Sequence, residues 1–201
     1  LIMVIVFINY HMVVIYMLCG VFILIRNFGI IDDIFLSIVK DAFTGEAVLG
    51  GSMGAVIVIG IRRAAFSNEA GIGTEAMAHG AAITKEPIRE GLVAMLGPMI
   101  DTLIVCSVTG FVILATGVWM NPDLNGISMT TQAFEMGLPI IGKPLLIFIV
   151  IVFSITTMIG YSYYGSKCTA FLFGKKWKQS YRIFYTLSLI LASVITIDLV
   201  I

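Results

Sequence analysis

The chain carries little charge of either sign. Of its 201 residues, 12% are charged, with 12 basic and 12 acidic side chains and a formal net charge of zero. A soluble globular domain carries about 25% charged residues, so this deficit argues against an ordinary soluble fold. Because the net charge is zero, nothing in the composition attracts nucleic acid, and we predict no nucleic-acid partner.

The chain is also poor in cysteine and in the short motifs of enzymes. Cys19, Cys106 and Cys168 are too far apart to match a metal-binding spacing. No phosphate-binding loop, HExxH helix or nucleophile elbow is present, so the sequence gives no argument for an enzyme. No basic segment precedes the apolar run that begins at Leu1, as a signal peptide would require, and we expect the chain to be an internal piece of a longer protein.

The chain does contain long uninterrupted apolar runs. Apolar residues make up 59% of the chain, against about 45–50% in soluble proteins, and the mean hydropathy is +1.06. A helix crosses the hydrocarbon core of a bilayer with about 20 residues. We therefore predict an all-α membrane protein in a single transmembrane domain, with five spans at residues 1–25, 34–61, 91–119, 145–164 and 183–201.

The second predicted span differs from the others. As a straight helix, residues 34–61 would reach about 42 Å, well beyond a hydrocarbon core of about 30 Å. This span also contains Gly45, Gly50, Gly51 and Gly54. Two half-helices separated by a break explain both the length and the glycines, so we predict that this helix is broken.

Basic residues near the span ends predict the orientation. They concentrate in the loops at residues 62–90 and 165–182, whereas the other two loops offer only Arg26 and Lys143. We therefore place loops 62–90 and 165–182 on the cytoplasmic side of a multi-pass protein of the plasma (inner) membrane. Between the third and fourth spans, residues 127–134 are predicted to form a short helix on the outer face.

The break is the first candidate for a ligand site. Irregular backbone within a bilayer must be buried in protein or line a wet cavity, and its free amide and carbonyl groups suit the charged ends of an amino acid. The residues concerned are Gly50, Gly51, Ser52 and Gly54. The alternative is that these small residues only permit close helix packing.

Three further groups of polar residues lie in or next to the spans. Thr156 and Thr157 in the fourth span offer hydroxyl oxygens suited to Na⁺, unless each bonds back to its own helix. Asp101 lies within the third span and is a functional candidate by default, with structural pairing as the alternative. The polar stretch that contains Arg63, Asn68 and Glu69 is either a salt-bridged cytoplasmic gate or an ordered loop.

The sequence resembles the sodium:alanine (alanine or glycine:cation) symporter family. The similarity covers most of residues 40–200, in the family's order. The matching motifs are Arg63–Thr74, Ala78–Ala82, Arg89–Leu92, Ile100–Cys106, Thr116–Trp119 and Thr156–Gly165.

This resemblance implies a LeuT-type fold, in which ten core helices form two inverted repeats and helices one and six are broken. The chain would then hold helices five to nine, with residues 34–61 as the broken sixth helix, and would lack helices one to four and ten. The resemblance also favours Thr156 and Thr157 as sodium ligands, opposite the unwound first helix.

The expected function is secondary active symport, with Na⁺ as the coupling ion and a small neutral amino acid, alanine or glycine, as the substrate. The alternatives are a proton-coupled transporter with Asp101 or Glu46 as the proton carrier, a non-transporting membrane scaffold and, less favoured, an ion channel. Uptake that continues without sodium would favour the first alternative, and the absence of amino-acid binding would favour the second.

Overall fold

The structure is a computed structural model that describes residues 2–43 and 72–195, with side chains described for residues 7–40 and 72–195. Within these ranges every regular element is helical. The α-helices are α1 (Ile2–Arg26), α2 (Ile31–Phe43), α3 (Thr74–His79), α4 (Pro87–Ile100), α5 (Cys106–Thr116), α6 (Gly126–Gly137), α7 (Gly142–Phe173) and α8 (Lys178–Ala192). Short 3₁₀ turns precede α2, follow α5 and precede α8.

Three helical stretches are long and apolar enough to cross a membrane: Phe7–Arg26, Pro87–Thr116 and Gly142–Phe173. They contain most of the first, third and fourth predicted spans. The described residues therefore confirm the all-helical class, and three of the predicted spans lie in helical stretches of sufficient length and apolarity.

The second and fifth predicted spans are only partly described. Helix α2 begins three residues before the predicted start of span two and is described to Phe43, so the rest of residues 34–61 lies outside the described residues. Helix α8 begins at Lys178, five residues before the predicted start of span five, and ends at Ala192. Five spans therefore remain a prediction.

The stretch Pro87–Thr116 changes its hydrogen bonding near its middle. Pro98 has no amide hydrogen and cannot bond to the carbonyl of residue 94. Three residues later a π-helical turn runs over Asp101–Val105, in which the Cys106 amide donates to the Asp101 carbonyl. Such wide turns inside α-helices occur frequently at functional sites.

The buried core lies where α6 meets the membrane-spanning helices. Ala133 and Phe134 of α6 are buried against side chains of α1, α5 and α7. The Phe134 ring stacks on Tyr16 of α1, with ring centroids 5.1 Å apart, and the Tyr16 hydroxyl bonds to Thr109 of α5 at 2.5 Å. The short helix predicted at residues 127–134 is therefore present and slightly longer, and one of its faces packs into the core.

Two glycines allow this packing. A Cβ at Gly137 would lie 2.6 Å from Ile23 Cγ1, and Ile23 is fully buried. At Gly142, the first residue of α7, a Cβ would overlap the Phe134 carbonyl oxygen. The absence of side chains at these positions lets α6 lie directly against α1 and α7.

Helix α7 is longer than the predicted span. It contains 32 residues, about 48 Å at 1.5 Å per residue, and continues to Phe173 through a stretch predicted as loop. The hydroxyl of Tyr181 packs where a Cβ of Gly165 would lie. The helix ends at Gly174, whose φ of 88° is a conformation that glycine adopts readily.

Candidate ion and substrate sites

The residues predicted for substrate binding, Gly50, Gly51, Ser52 and Gly54, lie outside the described residues. The same is true of Arg63, Asn68 and Glu69, which were predicted to gate or order the cytoplasmic loop. These assignments remain predictions. Thr156, Thr157 and Asp101 are described.

The Thr156 hydroxyl lies at the contact between α7 and α1. Its oxygen is 3.0 Å from the carbonyl oxygens of Val152 and Phe153, one turn earlier on the same helix. It is also 3.0 Å from the side-chain oxygen of Asn9 on α1. The back-bonding alternative therefore applies to Thr156, but the hydroxyl also reaches a second helix.

The single hydroxyl proton of Thr156 cannot satisfy all three acceptors. The oxygen and nitrogen of an asparagine amide are assigned from the hydrogen-bond network rather than observed. With the Asn9 amide turned over, Asn9 donates to Thr156 while Thr156 donates to its own helix. In either arrangement Thr156 helps to hold α1 against α7.

Thr157 occupies a different face of α7. Consecutive residues of an α-helix are about 100° apart, so the two side chains point in different directions. Thr157 is exposed, whereas Thr156 is half-buried. Of the two hydroxyls, that of Thr157 lies on a helix face that the described elements leave open.

Asp101 begins the π-helical turn of the third predicted span and is exposed. The wide turn begins three residues after Pro98 and has no obvious signal in the apolar pattern. The described hydrogen bonds do not join Asp101 to Thr156 or Thr157.

A cluster of titratable side chains on α3 and α4 was not predicted from the sequence. His79 Nε2 lies 3.1 Å from Glu75 Oε1, and His79 Nδ1 lies 2.6 Å from Glu90 Oε1. Glu75 and His79 are four residues apart on α3, a spacing that places two side chains on one helix face. Glu90 is on α4, and its pairing depends on the connection between the helices, which no local pattern indicates.

A family model that matches nearly the whole chain shows which family it belongs to. The model of the family described as "Sodium:alanine symporter family" matches residues 3–201. The chain belongs to the sodium:alanine symporter family. The resemblance seen in the sequence motifs is thereby confirmed.

Relatives support this membership. The chain is 40% identical to the sodium/alanine symporter AgcS of Methanococcus maripaludis over 179 residues, which are 88% of this chain and 39% of that protein. It is 36% identical to an uncharacterized transporter of Haemophilus influenzae over 194 residues, 94% of this chain and 42% of that protein. It is 33% identical to the probable sodium/glutamine symporter GlnT of Bacillus subtilis over 159 residues, 79% of this chain and 33% of that protein.

The chain spans less than half the length of these relatives of the sodium:alanine symporter family. Membership places it in a family of transporters and is consistent with the three apolar helices long enough to cross a membrane. Together these two observations indicate a multi-pass membrane protein.

Proposed function

We propose that this chain forms part of a secondary active transporter that couples Na⁺ entry to the uptake of a small neutral amino acid, with alanine or glycine first. The observation that supports this most strongly is the family match over residues 3–201. The 40% identity to a sodium/alanine symporter, over 88% of this chain, supports the same ion and substrate class.

The proposed architecture is the LeuT-type fold, with the chain supplying helices five to nine and residues 34–61 as the broken sixth helix. Helices one to four and ten of the same protein would complete the substrate and sodium sites. The protein lies in the plasma (inner) membrane, with loops 62–90 and 165–182 in the cytoplasm, because these loops carry most of the basic residues.

The proposed sodium ligands are Thr156 and Thr157 of α7. Hydroxyl oxygens suit a hard cation. The Thr157 hydroxyl lies on an open face, while Thr156 retains an oxygen lone pair when its proton bonds to α7. The proposed substrate ligands remain the backbone groups around Gly50, Gly51, Ser52 and Gly54.

Sodium supplies the free energy for uptake. One elementary charge that moves through 100 mV releases about 2.3 kcal/mol, which supports about fiftyfold accumulation per sodium ion. Sodium binding also raises the affinity for the amino acid, because coupling between two sites is reciprocal.

The test is uptake of labelled alanine into proteoliposomes that contain the transporter, with and without an inward Na⁺ gradient. We expect accumulation that requires Na⁺ and collapses with a sodium ionophore. Uptake that follows a pH gradient without Na⁺ would support a proton-coupled transporter instead. If the purified protein binds no amino acid, a non-transporting scaffold is the better description.

A second substrate is supported by the similarity to a probable sodium/glutamine symporter. Competition by unlabelled glycine, D-alanine and glutamine against labelled alanine distinguishes the candidates. We expect glycine to compete more strongly than glutamine, and the reverse order would assign glutamine as the substrate.

A further inference from the structure

Three side chains join the short helix α3 to the start of α4. His79, the last residue of α3, has one ring nitrogen 3.1 Å from a Glu75 oxygen and the other 2.6 Å from a Glu90 oxygen. The exposed fractions of the side chains are 28% for His79, 20% for Glu75 and 27% for Glu90. We call these three residues the His79 clasp.

Counting donors shows what the two hydrogen bonds of the His79 clasp require. A neutral imidazole has one N–H donor and one acceptor nitrogen, and an ionised carboxylate has only acceptors. Both ring nitrogens lie within hydrogen-bond distance of a carboxylate. Both bonds therefore form only when an additional proton is present, on the imidazole or on one of the carboxyl groups.

Loss of this proton removes one of the two bonds. An acceptor nitrogen then faces an acceptor oxygen, and two carboxylates remain beside a neutral ring. Hydrogen bonds to charged groups are the strong ones in proteins, so the link between α3 and α4 weakens when the proton leaves.

Among the described residues, the other charged groups near the start of α4 do not neutralise the His79 clasp. Arg89 pairs with Glu86 at 3.5 Å, and both side chains are largely exposed. Lys85 is exposed in the connection between α3 and α4.

Two titratable side chains near the end of α7 make contacts that do not involve the His79 clasp. Lys167 lies 5.2 Å from the centre of the Tyr163 ring. The Cys168 sulfur lies 3.4 Å from that of Met77. Within residues 72–195, no basic side chain bonds to either carboxylate of the clasp apart from His79.

The geometry favours a proton over a metal ion. The two carboxylates approach different nitrogens of the ring, so the three side chains do not converge on one point. Among the described residues no group of three metal-ligating side chains is found. A cavity of about 580 Å³ borders all three clasp residues, which gives water and protons access.

The His79 clasp also contacts the helix near its irregular turn. A Cβ at Gly97 would lie 2.7 Å from Glu75 Oε1, so the Glu75 carboxylate occupies the space over this glycine. Gly97 is seven residues from Glu90, two turns along the same face of α4. Pro98 and the π-helical turn at Asp101 follow directly.

We propose that Glu75, His79 and Glu90 form a proton-binding site that fastens α3 to α4 when protonated and releases α3 when the proton is lost. Because α3 lies within the loop at residues 62–90 that we place in the cytoplasm, the site makes transport respond to cytoplasmic pH. The second part of this proposal rests on the proposed function, whereas the first does not.

The first test measures the clasp without transport. The amides of Gly80, Ala81 and Ala82 bond to the carbonyls of Ala76, Ala78 and His79 at 2.9, 3.2 and 2.9 Å, so their hydrogen exchange reports the end of α3. We compare the transporter in detergent, without sodium or amino acid, at about pH 5.5 and about pH 8.5, on either side of neutrality. After correction for intrinsic exchange rates, we expect about tenfold stronger protection at the lower pH.

Variants distinguish a proton-binding site from a contact that serves packing alone. His79→Gln removes the imidazole ring, and we expect weak protection that no longer depends on pH. Glu90→Gln can donate to a neutral imidazole, and we expect strong protection at both pH values. Gly97→Ala keeps all three titratable groups but displaces the Glu75 carboxylate, so protection falls at the lower pH. His11→Gln, at an exposed histidine bonded to Phe7 on α1, is the matched control and should behave as the wild type.

The second test measures sodium-driven alanine uptake at internal pH values over the same range. We expect uptake to change with internal pH in the wild type and in His11→Gln, and not in His79→Gln. Protection that does not depend on pH in the wild type, or an unchanged pH response in His79→Gln, overturns the proton site. A pH-dependent clasp in a protein without sodium-driven uptake upholds the site and overturns the transport proposal.

Discussion

The adjacent hydroxyls of Thr156 and Thr157 lie in different surroundings. Thr156 bonds within α7 and to Asn9, whereas Thr157 lies exposed on another face. The two residues therefore predict different results when each hydroxyl is replaced by a methyl group of similar size.

We expect Thr157→Val to raise the sodium concentration that half-activates alanine uptake by about tenfold, because one cation ligand is lost. Thr156→Val should also weaken sodium activation and should lower stability by about 0.6 kcal/mol, the average for a hydrogen bond between membrane helices. Sodium activation curves and thermal unfolding in detergent measure the two effects.

Thr169→Val is the control for both variants. Thr169 lies on the same helix, and among the described residues its hydroxyl bonds only to the Gly165 carbonyl, at 2.8 Å. We expect normal sodium activation in this variant. Unchanged activation in both Thr156→Val and Thr157→Val would reject these residues as sodium ligands.

The helices that the sequence predicts best are those whose ends depend only on the length of the apolar run. The first predicted span, residues 1–25, differs from α1 by one residue at each end. The extension of α7 to Phe173 was not predicted, because hydropathy measures where a helix leaves the membrane and not where it ends. The π-helical turn at Asp101–Val105 was also missed, since Pro98 indicates a disturbance but not which bonds replace the lost one.

The candidate site, like the helices, was predictable from the sequence only in part. The spacing of Glu75 and His79 indicates a shared helix face, but Glu90 joins them only through the folded connection between α3 and α4. The hydroxyl pair at 156 and 157 was found from residue type, while the different roles of the two hydroxyls depend on which helix packs against each face.

The contact between α6 and α1 gives a prediction about packing. Gly137→Ala places a methyl group against the buried Ile23, and overpacking of this kind costs about 1–3 kcal/mol. We expect a lower melting temperature in detergent, even though alanine is the better helix former by about 1 kcal/mol.

Gly110→Ala is the matched control for this variant. A Cβ at this position in α5 would meet nothing within 4 Å, so we expect unchanged or higher stability. If both variants are equally stable, the close contact of α6 with α1 is not important for stability.

For the molecule as a whole, most of the apolar surface of the membrane-spanning helices is uncovered. Only 11%, 6% and 11% of the most apolar window of each is buried inside the described structure. Lipid or further helices must cover the rest, as expected for a family member that spans less than half the length of its relatives.

The proposed break in the second span is tested through the activity of the whole transporter. We expect Gly51→Leu to abolish sodium-driven alanine uptake, because the side chain fills the predicted cavity, and Gly51→Ala to retain part of it. Uptake and the amount of protein in the membrane are measured together. Full activity in Gly51→Leu would show that these glycines serve only packing.

The length of α7 has a mechanical consequence. One end of this single helix packs against α6 and the buried core, and the other end contacts α3 and α8. Because α7 is one continuous helix, a tilt imposed where it meets α6 also displaces the segments that contact its other end.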